Sequence, residues 1–304
     1  MVPAAALGGS VWMWQQAING VFLGAIYALF AVGYALVFGV LDILNLAHQA
    51  VFTLSAFIAL AFVAGGNMPL AIALPVSLLA AGLIGIGLER VAFRPLRGRA
   101  DSNISGLISS LAAATILEAI ALQIWGPDVQ RFPQGTFPDK PLHVLGATVS
   151  ALQLTIIAVS VALMAALTAV LRATRLGRQI RAVAESPRAA RILGVDVDRV
   201  IAWSFFLSSA LGGAAGVLFG VAFNSVSPDM GRSVELKGLA VIILGGMGSI
   251  AGAVIAGFAL GLLEVLTVVQ LGSSWRDAVS FGVLFLVLLV RPSGLLGKAA
   301  IREA

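Results

Sequence analysis

The sequence predicts an all-α protein, a polytopic transmembrane helical bundle of about eight spans, or nine crossings when broken helices are counted separately. Hydrophobic residues make up 60% of the 304 residues and charged residues only 11%, whereas an ordinary soluble domain is about 25% charged. Several apolar stretches reach the roughly 20 residues that a helix needs to cross about 30 Å of hydrocarbon. The few basic residues are also clustered, as expected of loops at one side of a membrane.

Six uninterrupted spans follow one another along the chain. We predict them at residues 17–39, 41–63, 68–89, 104–125, 148–171 and 200–222. The N-terminal stretch MVPAAALGGSVWMWQQ lacks the basic residues that open a signal peptide, so we expect the first span to be retained. An external loop is expected at 223–236.

The stretch from Gly238 to Val269 is too long for one crossing. As one straight helix its 32 residues would extend about 48 Å. Glycines weaken a helix, so GGMGS at 245–249 predicts two half-elements joined at that point. A last span at 278–290 then returns the basic tail to the side of the other basic loops.

Basic residues predict the orientation. Fourteen of the nineteen lysines and arginines fall in two loops and the tail: Arg90, Arg94, Arg97 and Arg99; Arg172, Arg175, Arg178, Arg181, Arg188, Arg191 and Arg199; and Arg291, Lys298 and Arg302. The positive-inside rule places these segments in the cytoplasm and leaves the N-terminus outside.

The central basic segment, residues 174–200, is polar but prone to form helix. An apolar stripe with spacing i, i+4, i+7 consists of Leu176, Ile180 and Val183. Ser186 before Pro187 is a helix-start signal and Gly194 a helix-end signal, which predicts a short helix at about 187–193. By composition alone, the segment could equally bind anionic lipid headgroups.

Polar groups inside the spans are candidates for a transport pathway, because they are costly there. Asp42, Asn45 and His48 lie three apart, which predicts one helical face that serves as a gate or as a hydrogen-bonded anchor between helices. Glu118 and Glu264 lie within apolar stretches, where they could pair internally or contact a solute.

The predicted break in the late spans is a further pathway candidate. Gly245, Gly246 and Gly248 would leave free backbone groups, which membranes tolerate only inside protein or beside a water-filled cavity, and helix ends there can hold a zwitterion. The alternative is close glycine-mediated packing of helices.

Enzyme chemistry is not expected. The chain lacks a G-x-x-x-x-G-K-[S/T] loop for nucleotide phosphates, so any ATP hydrolysis must come from another polypeptide. It has no cysteine, two histidines (His48 and His143), and no H-E-x-x-H or G-x-S-x-G motif. We therefore predict no catalytic residue and no metal site.

The central segment also resembles a known cytoplasmic loop. Ala189 and Ala190, three residues and then Gly194 are spaced as in the "EAA" loop of ABC transporter permeases, although Arg188 stands where Glu is frequent. The wider run RAVAESPRAARILGVDVDRV resembles this loop in branched-chain amino-acid (LIV-type, hydrophobic amino-acid uptake) permeases.

Two other blocks resemble the same family. Asn45, Ala47 and His48 match its N-x-A-H signature, with Gln49-Ala50 in place of the usual Gly-Glu. Late in the chain, LGGMGSIAGAVIAG and VRPSGLLG are similar to its glycine-rich block and terminal motif.

The resemblance implies a single transmembrane permease domain over 1–304, with 174–200 as a cytoplasmic coupling loop. Such a chain would be the permease subunit of an ATP-driven importer for branched-chain or related hydrophobic amino acids in a bacterial-type inner membrane. The implied ATPase-coupling residues are Arg181, Glu185, Ala189, Ala190 and Gly194. The implied partners are a second homologous permease, two cytoplasmic ABC ATPases that carry ATP and Mg²⁺, a periplasmic substrate-binding protein and membrane lipid. No cofactor in this chain and no nucleic acid are expected.

Three alternatives remain open at this point. Permeases for urea or short amides look alike. A proton- or ion-coupled secondary transporter would use Glu118 and Glu264 as proton carriers, although the long central loop argues against it. A lipid-modifying membrane enzyme would need a catalytic constellation that the sequence does not contain.

Overall fold

A computed structural model of the chain describes residues 9–97, 102–133, 135–137, 141–144 and 147–297. Within these ranges, eight helical stretches are long and apolar enough to cross a membrane, so the polytopic helical prediction is confirmed. Arg99, Lys298 and Arg302, which contributed to the predicted orientation, lie outside the described residues.

The helices run in order with short connections. The first four are α1 (Gly9–Leu41), α2 (His48–Gly66), α3 (Leu70–Leu88) and α4 (Ser102–Trp125). A π-helical turn at Glu89–Phe93 and a 3-10 turn at Arg94–Leu96 extend α3. The next four are α5 (Ala151–Ala173), α6 (Arg175–Glu185), α7 (Pro187–Ile192) and α8 (Val197–Phe223). The last three are α9 (Met230–Gly245), α10 (Ile250–Leu271) and α11 (Arg276–Val290), with a 3-10 turn at Ser273–Trp275 before α11.

A small hairpin precedes α5. Strand β1 (Pro141–Val144) pairs antiparallel with β2 (Ala147–Ser150), so Leu142 lies opposite Val149. The predicted fifth span at 148–171 therefore begins too early, because its first residues belong to β2. We call this end of the bundle the hairpin end and the opposite end, which carries α6 and α7, the arm end.

α1 and α8 form the centre of the bundle, whereas α4 and α11 lie largely exposed on its outside. α1 packs most extensively against α10. Their backbones approach so closely that a Cβ atom added at Gly261 would lie 2.3 Å from the backbone nitrogen of Gly24. Small residues at a helix contact permit such an approach, which is the usual mode of packing between membrane helices.

The second span begins at His48, not at residue 41 as predicted. α1 ends at Leu41, and the chain then runs without helix through residues 42–47. Asp42 has a positive φ of 54°, which takes the chain out of the helix. Consequently Asp42, Asn45 and His48 do not share a helical face, and that prediction is wrong.

The 42–47 connection passes from the exposed Asp42 to the buried Ala47, and Ser110 of α4 bonds to its backbone at Leu44 and Leu46. The Leu46 amide donates to the Ser110 hydroxyl at 3.2 Å, and that hydroxyl lies 3.3 Å from the Leu44 carbonyl. Non-helical backbone survives at membrane depth only with such partners. The His48 ring lies 4.7 Å from the Phe30 ring in the middle of α1, so α2 starts deep in the bundle.

The predicted break at 245–249 is confirmed. α9 ends at Gly245 and α10 starts at Ile250, and both Gly246 (φ 98°) and Gly248 (φ 79°) adopt conformations that favour glycine. The Ser249 hydroxyl caps α10 by accepting from the Gly252 amide at 3.1 Å. The loop predicted at 223–236 is too long, because α9 already begins at Met230.

Candidate functional site

Helices α6 and α7, residues 175–192, form a two-helix arm at one end of the bundle. The predicted apolar stripe is present, since Ile180 and Val183 are buried against the bundle and Leu176 is half-buried. Arg181, predicted to contact an ATPase, donates through Nη1 to the Leu171 carbonyl at the end of α5. The arm is therefore fastened to the helix before it.

The two ends of α7 have the predicted caps. The Ser186 hydroxyl accepts from the Ala189 amide at 3.2 Å, and Gly194 has a φ of 82°. The alanine pair divides between two environments: Ala190 is buried, whereas Ala189 is exposed, as is Glu185 at the end of α6. The ATPase-coupling role of these residues stays a prediction.

Sequence reasoning missed the apolar tip of the arm. Ile192 and Leu193 are each 81% exposed, immediately before Gly194. Two large aliphatic side chains on a basic, polar segment are an available signal, because water-exposed apolar pairs mark contact surfaces. They point to a protein or membrane surface that covers the tip.

An ion cluster ties the neighbouring loop to α8. Arg97 donates through Nη2 to the buried Glu89, and its Nη1 lies 2.9 Å from Asp198 Oδ1. Arg94 also reaches Asp198, at 3.2 Å. The first basic loop therefore anchors the arm end of α3 to the first turn of α8.

His48 and Asn45, two predicted pathway residues, lie in the interior of the bundle. His48 is fully buried beside the rings of Phe30 and Tyr34, and its Nε2 lies 3.3 Å from the Phe30 carbonyl. The Asn45 side chain accepts from the Ala47 amide at 3.2 Å and so stabilises the turn that precedes α2. This arrangement is that of an anchor between α1 and α2, while a role in the pathway stays a prediction.

Glu118, a third predicted pathway residue, is the centre of a polar cluster formed by α2, α4 and α9. Gln49 Nε2 donates to its Oε1 at 2.6 Å. Arg232 donates to both carboxylate oxygens, from Nη2 at 2.5 Å and from Nε at 3.3 Å. Such a two-pronged pair fixes both side chains and is stronger than a single hydrogen bond.

Glu264, the fourth predicted pathway residue, belongs to a second ionic cluster, which is formed by α9, α10 and α11. Its side chain has no exposed surface, and its Oε1 lies 2.5 Å from Lys237 Nζ and 3.0 Å from Arg276 Nε. Lys237 also lies 3.5 Å from Asp277 and donates to the Tyr27 hydroxyl at 3.2 Å. Two acidic and two basic groups thus balance their charges in this cluster.

A cavity of about 700 Å³ opens beside the second cluster. Its lining is mixed, with aromatic side chains at Phe219, Phe223 and Phe281 and polar ones at Ser233, Lys237 and Arg276. Its volume and lining suit a small amphipathic molecule. In the described part of the chain, no three histidine, cysteine or acidic side chains are grouped so as to hold a metal ion.

The glycine break is closely packed by the chain itself. The Leu295 and Leu296 amides donate to the Leu244 and Gly245 carbonyls at 2.8 and 3.0 Å, which satisfies the end of α9. A Cβ atom at Gly246 would lie 2.2 Å from the Gly297 nitrogen. Close packing accounts for these glycines, and a role for Gly245, Gly246 and Gly248 in the pathway stays a prediction.

Comparison with known proteins identifies the family that the sequence matches. The profile of the family described as branched-chain amino acid transport system / permease component matches residues 16–288. The chain is 33% identical over 300 residues to the high-affinity branched-chain amino acid transport system permease protein BraD of Pseudomonas aeruginosa, covering 95% of this chain and 97% of that protein. It is 35% identical over 301 residues, with the same coverage, to the corresponding LivH protein of Escherichia coli. A solved structure, PsaBC from Streptococcus pneumoniae in complex with Fab, aligns with 90% of this chain and 91% of that chain at 14% identity and a TM-score of 0.49, a likeness too weak to carry an argument.

Proposed function

This chain belongs to the family of branched-chain amino acid transport system permease components, and from that membership we propose a specific role. It is the membrane-spanning permease subunit of an ATP-driven ABC importer for branched-chain or related hydrophobic amino acids. We infer one permease domain over residues 1–304, with 174–200 as its coupling loop. ATP and Mg²⁺ would bind partner chains, because this sequence has no phosphate-binding loop.

The exposed apolar tip of the arm carries the proposal. A stiff helix can transmit force only if it is capped, anchored to spans and in contact with the element that drives it. α7 meets the first two conditions through Ser186 and Gly194 and through the burial of Ala190. Ile192 and Leu193 supply the contact surface for an ATPase. Closure of an ATPase pair would then move the arm and tilt α5 and α8, which flank it.

The remaining partners and the location follow the same proposal. A second homologous permease would complete the path, and a periplasmic binding protein would deliver the amino acid at the hairpin end. The arm would lie in the cytoplasm of a cell with a bacterial-type inner membrane, with the N-terminus outside and the C-terminus inside, as the basic loops predict.

The test is uptake of radiolabelled leucine into proteoliposomes that contain the complete transporter. We expect Ile192→Ser to lower ATP-driven uptake about fivefold or more, because truncation of a residue that anchors an interface costs over about 1 kcal/mol. Val91→Ser is the matched control, since Val91 is 80% exposed but lies outside the arm, and it should leave uptake unchanged. Leucine transport driven by a proton gradient without any ATPase would contradict the proposal.

A further inference from the structure

Arg232 carries an exposed charge at a depth where lipid would surround it. Its partner Glu118 lies seven residues before the end of α4 at Trp125, about 10 Å along the helix axis and well within the apolar span. Yet the Arg232 side chain is 67% exposed. An arginine facing hydrocarbon at this depth is costly, so the face of α9 that bears it must meet water or another protein.

The exposed face of α9 continues into the cavity. Leu236 lies one turn after Arg232 and is also exposed, and both Leu236 and Ser233 line the space of about 700 Å³ beside Lys237. The cavity is large enough for water, and Ser233, Lys237 and Arg276 give water polar partners on one part of its mixed lining. The charged and cavity-lining parts of this face therefore form one continuous surface, and water is the occupant that best accounts for the exposure of Arg232.

The charges around Arg232 do not balance. Glu118 uses both of its oxygens on Arg232 and Gln49. Glu235, three residues after Arg232 and close enough to Glu118 and Arg232 to interact electrostatically, has a buried Oε1 without a hydrogen-bond partner. Two carboxylates thus lie near one guanidinium, which forms its ion pair with Glu118. A buried acceptor without a donor is costly, so the arrangement is suited to receive a cation that can also donate hydrogen bonds.

We propose that Arg232, Glu118 and Glu235 form a head-group site for a zwitterionic amino acid on its way through the transporter. The carboxylate of the amino acid is held by Arg232, and its ammonium group donates to Glu118 and Glu235. The aliphatic side chain lies along Leu236. This assignment rests on the proposed function and adds to it the place in this chain where the solute's charges are compensated.

The hydrogen-bonding chemistry of the three side chains matches both ends of such a solute. Arginine presents several N–H groups in one plane, so it can keep one bond to Glu118 while it accommodates a second carboxylate. The ammonium group can donate to the Glu235 oxygen that has no partner and to Glu118 beside Arg232. A neutral amide or urea would offer no charge to either side and should gain little from this site.

Single cysteine substitutions test whether water reaches the exposed face of α9, because the chain has no native cysteine that would also react. In the reconstituted complete transporter, we expect Leu236→Cys to react with a water-soluble cationic thiol reagent, and leucine to slow that reaction several-fold. Ile116→Cys is the control, since Ile116 is equally exposed in the single chain but lies on the other side of α4 from Glu118. Reaction at Leu236→Cys no faster than at Ile116→Cys would mean that protein or lipid covers the face, and would overturn the proposal.

Charge variants test the site itself. Arg232→Gln should lower leucine uptake about 10- to 100-fold, the effect of losing a charge-assisted pair of hydrogen bonds. The double variant Arg232→Gln/Glu118→Gln removes the unpaired charge that the single variant leaves. Recovery of uptake to the unsubstituted level in the double variant would show that the pair only holds helices together, and would overturn the proposal.

A second readout separates this proposal from the proposed function. ATP hydrolysis stimulated by the binding protein should persist in Arg232→Gln, because the arm and its ATPase contact are unchanged. If the unsubstituted chain shows neither stimulated hydrolysis nor ATP-driven uptake, the proposed function fails. If it shows both and Arg232→Gln transports leucine normally, only the head-group site fails.

Discussion

Glu118 and Glu264 are carboxylates within apolar helices, and each is neutralised by a basic residue of α9. Arg232 pairs with Glu118 on one side of α9, and Lys237 pairs with Glu264 on the other. The two pairs differ in exposure, because the Arg232 side chain is largely exposed whereas the Lys237 side chain is mostly buried. An enclosed pair is suited to hold helices together, and an open pair can exchange partners with a solute.

We expect Glu264→Gln to destabilise the folded chain by about 3–5 kcal/mol, the usual cost of leaving a buried charge uncompensated. Lys237→Gln should cost less, because Arg276 Nε still lies 3.0 Å from Glu264 Oε1 and compensates part of its charge. The double variant should cost less than the sum of the two single variants, because it leaves no unpaired partner within this pair. These costs are compared through the midpoints of thermal unfolding in detergent of the unsubstituted chain, the two single variants and the double variant. Simple additivity would contradict the role assigned to the pair.

At the scale of elements, the helices in the described part of the chain are interrupted at residues 42–47, directly after α1, and at 246–249, beside the last turn of α1. A Cβ atom added at Gly248 in the second break would lie 3.3 Å from the Cα atom of Gly39, near the end of α1. Each break has its backbone groups satisfied by a distant part of the chain, by Ser110 in one case and by the amides of Leu295 and Leu296 in the other. Irregular backbone can exist inside a membrane protein on this condition.

The end of α7 offers a test of the arm as a rigid element. Gly194 has a φ of 82° and no atom within 4 Å of an added Cβ, so only backbone strain opposes a side chain there. Asparagine tolerates this conformation and a β-branched residue does not. We expect Gly194→Asn to retain most ATP-driven uptake and Gly194→Val to lose it, with equal amounts of inserted protein. Equal uptake by the two variants would show that the capped end of α7 is not needed for coupling.

At the scale of the whole molecule, the helices at the centre of the bundle and those on its outside differ in how much of their surface is exposed. α1 and α8 are enclosed by other helices, whereas α4 and α11 show most of their apolar surface. In a membrane this exposed apolar surface is available to lipid or to another protein chain. The exposed face of α9, between α4 and α11 in the ionic clusters, is where we place the path.

The orientation of the whole bundle can be measured with the same cysteine-free chain. We expect Leu193→Cys, at the arm end, to react with a membrane-impermeant thiol reagent only after the cells are opened. Val129→Cys, an exposed position after α4, should react in intact cells. Reaction of Leu193→Cys from outside would contradict both the orientation and the ATPase contact.

The sequence by itself determined the features that depend on local patterns. Span length, the arginine clusters, the Ser186 and Gly194 caps and the glycine break at 245–249 are all encoded in a few adjacent residues, because helix formation and capping act over one to a few turns. For this reason the predicted caps and glycine break agree with the structure, whereas the second span was predicted to begin at residue 41 and begins at His48.

Only the tertiary structure decided which polar groups meet. Gln49 and Glu118 are 69 positions apart, and Glu118 and Arg232 are 114 apart. Their partners therefore cannot be read from spacing. The non-helical run at 42–47 was missed for the same reason, since Ser110 on a distant helix supplies the hydrogen bonds that stabilise it. Inside a membrane, irregular backbone and charged side chains are stable only where other groups of the protein form hydrogen bonds or ion pairs with them. Those partners come together only when the helices pack.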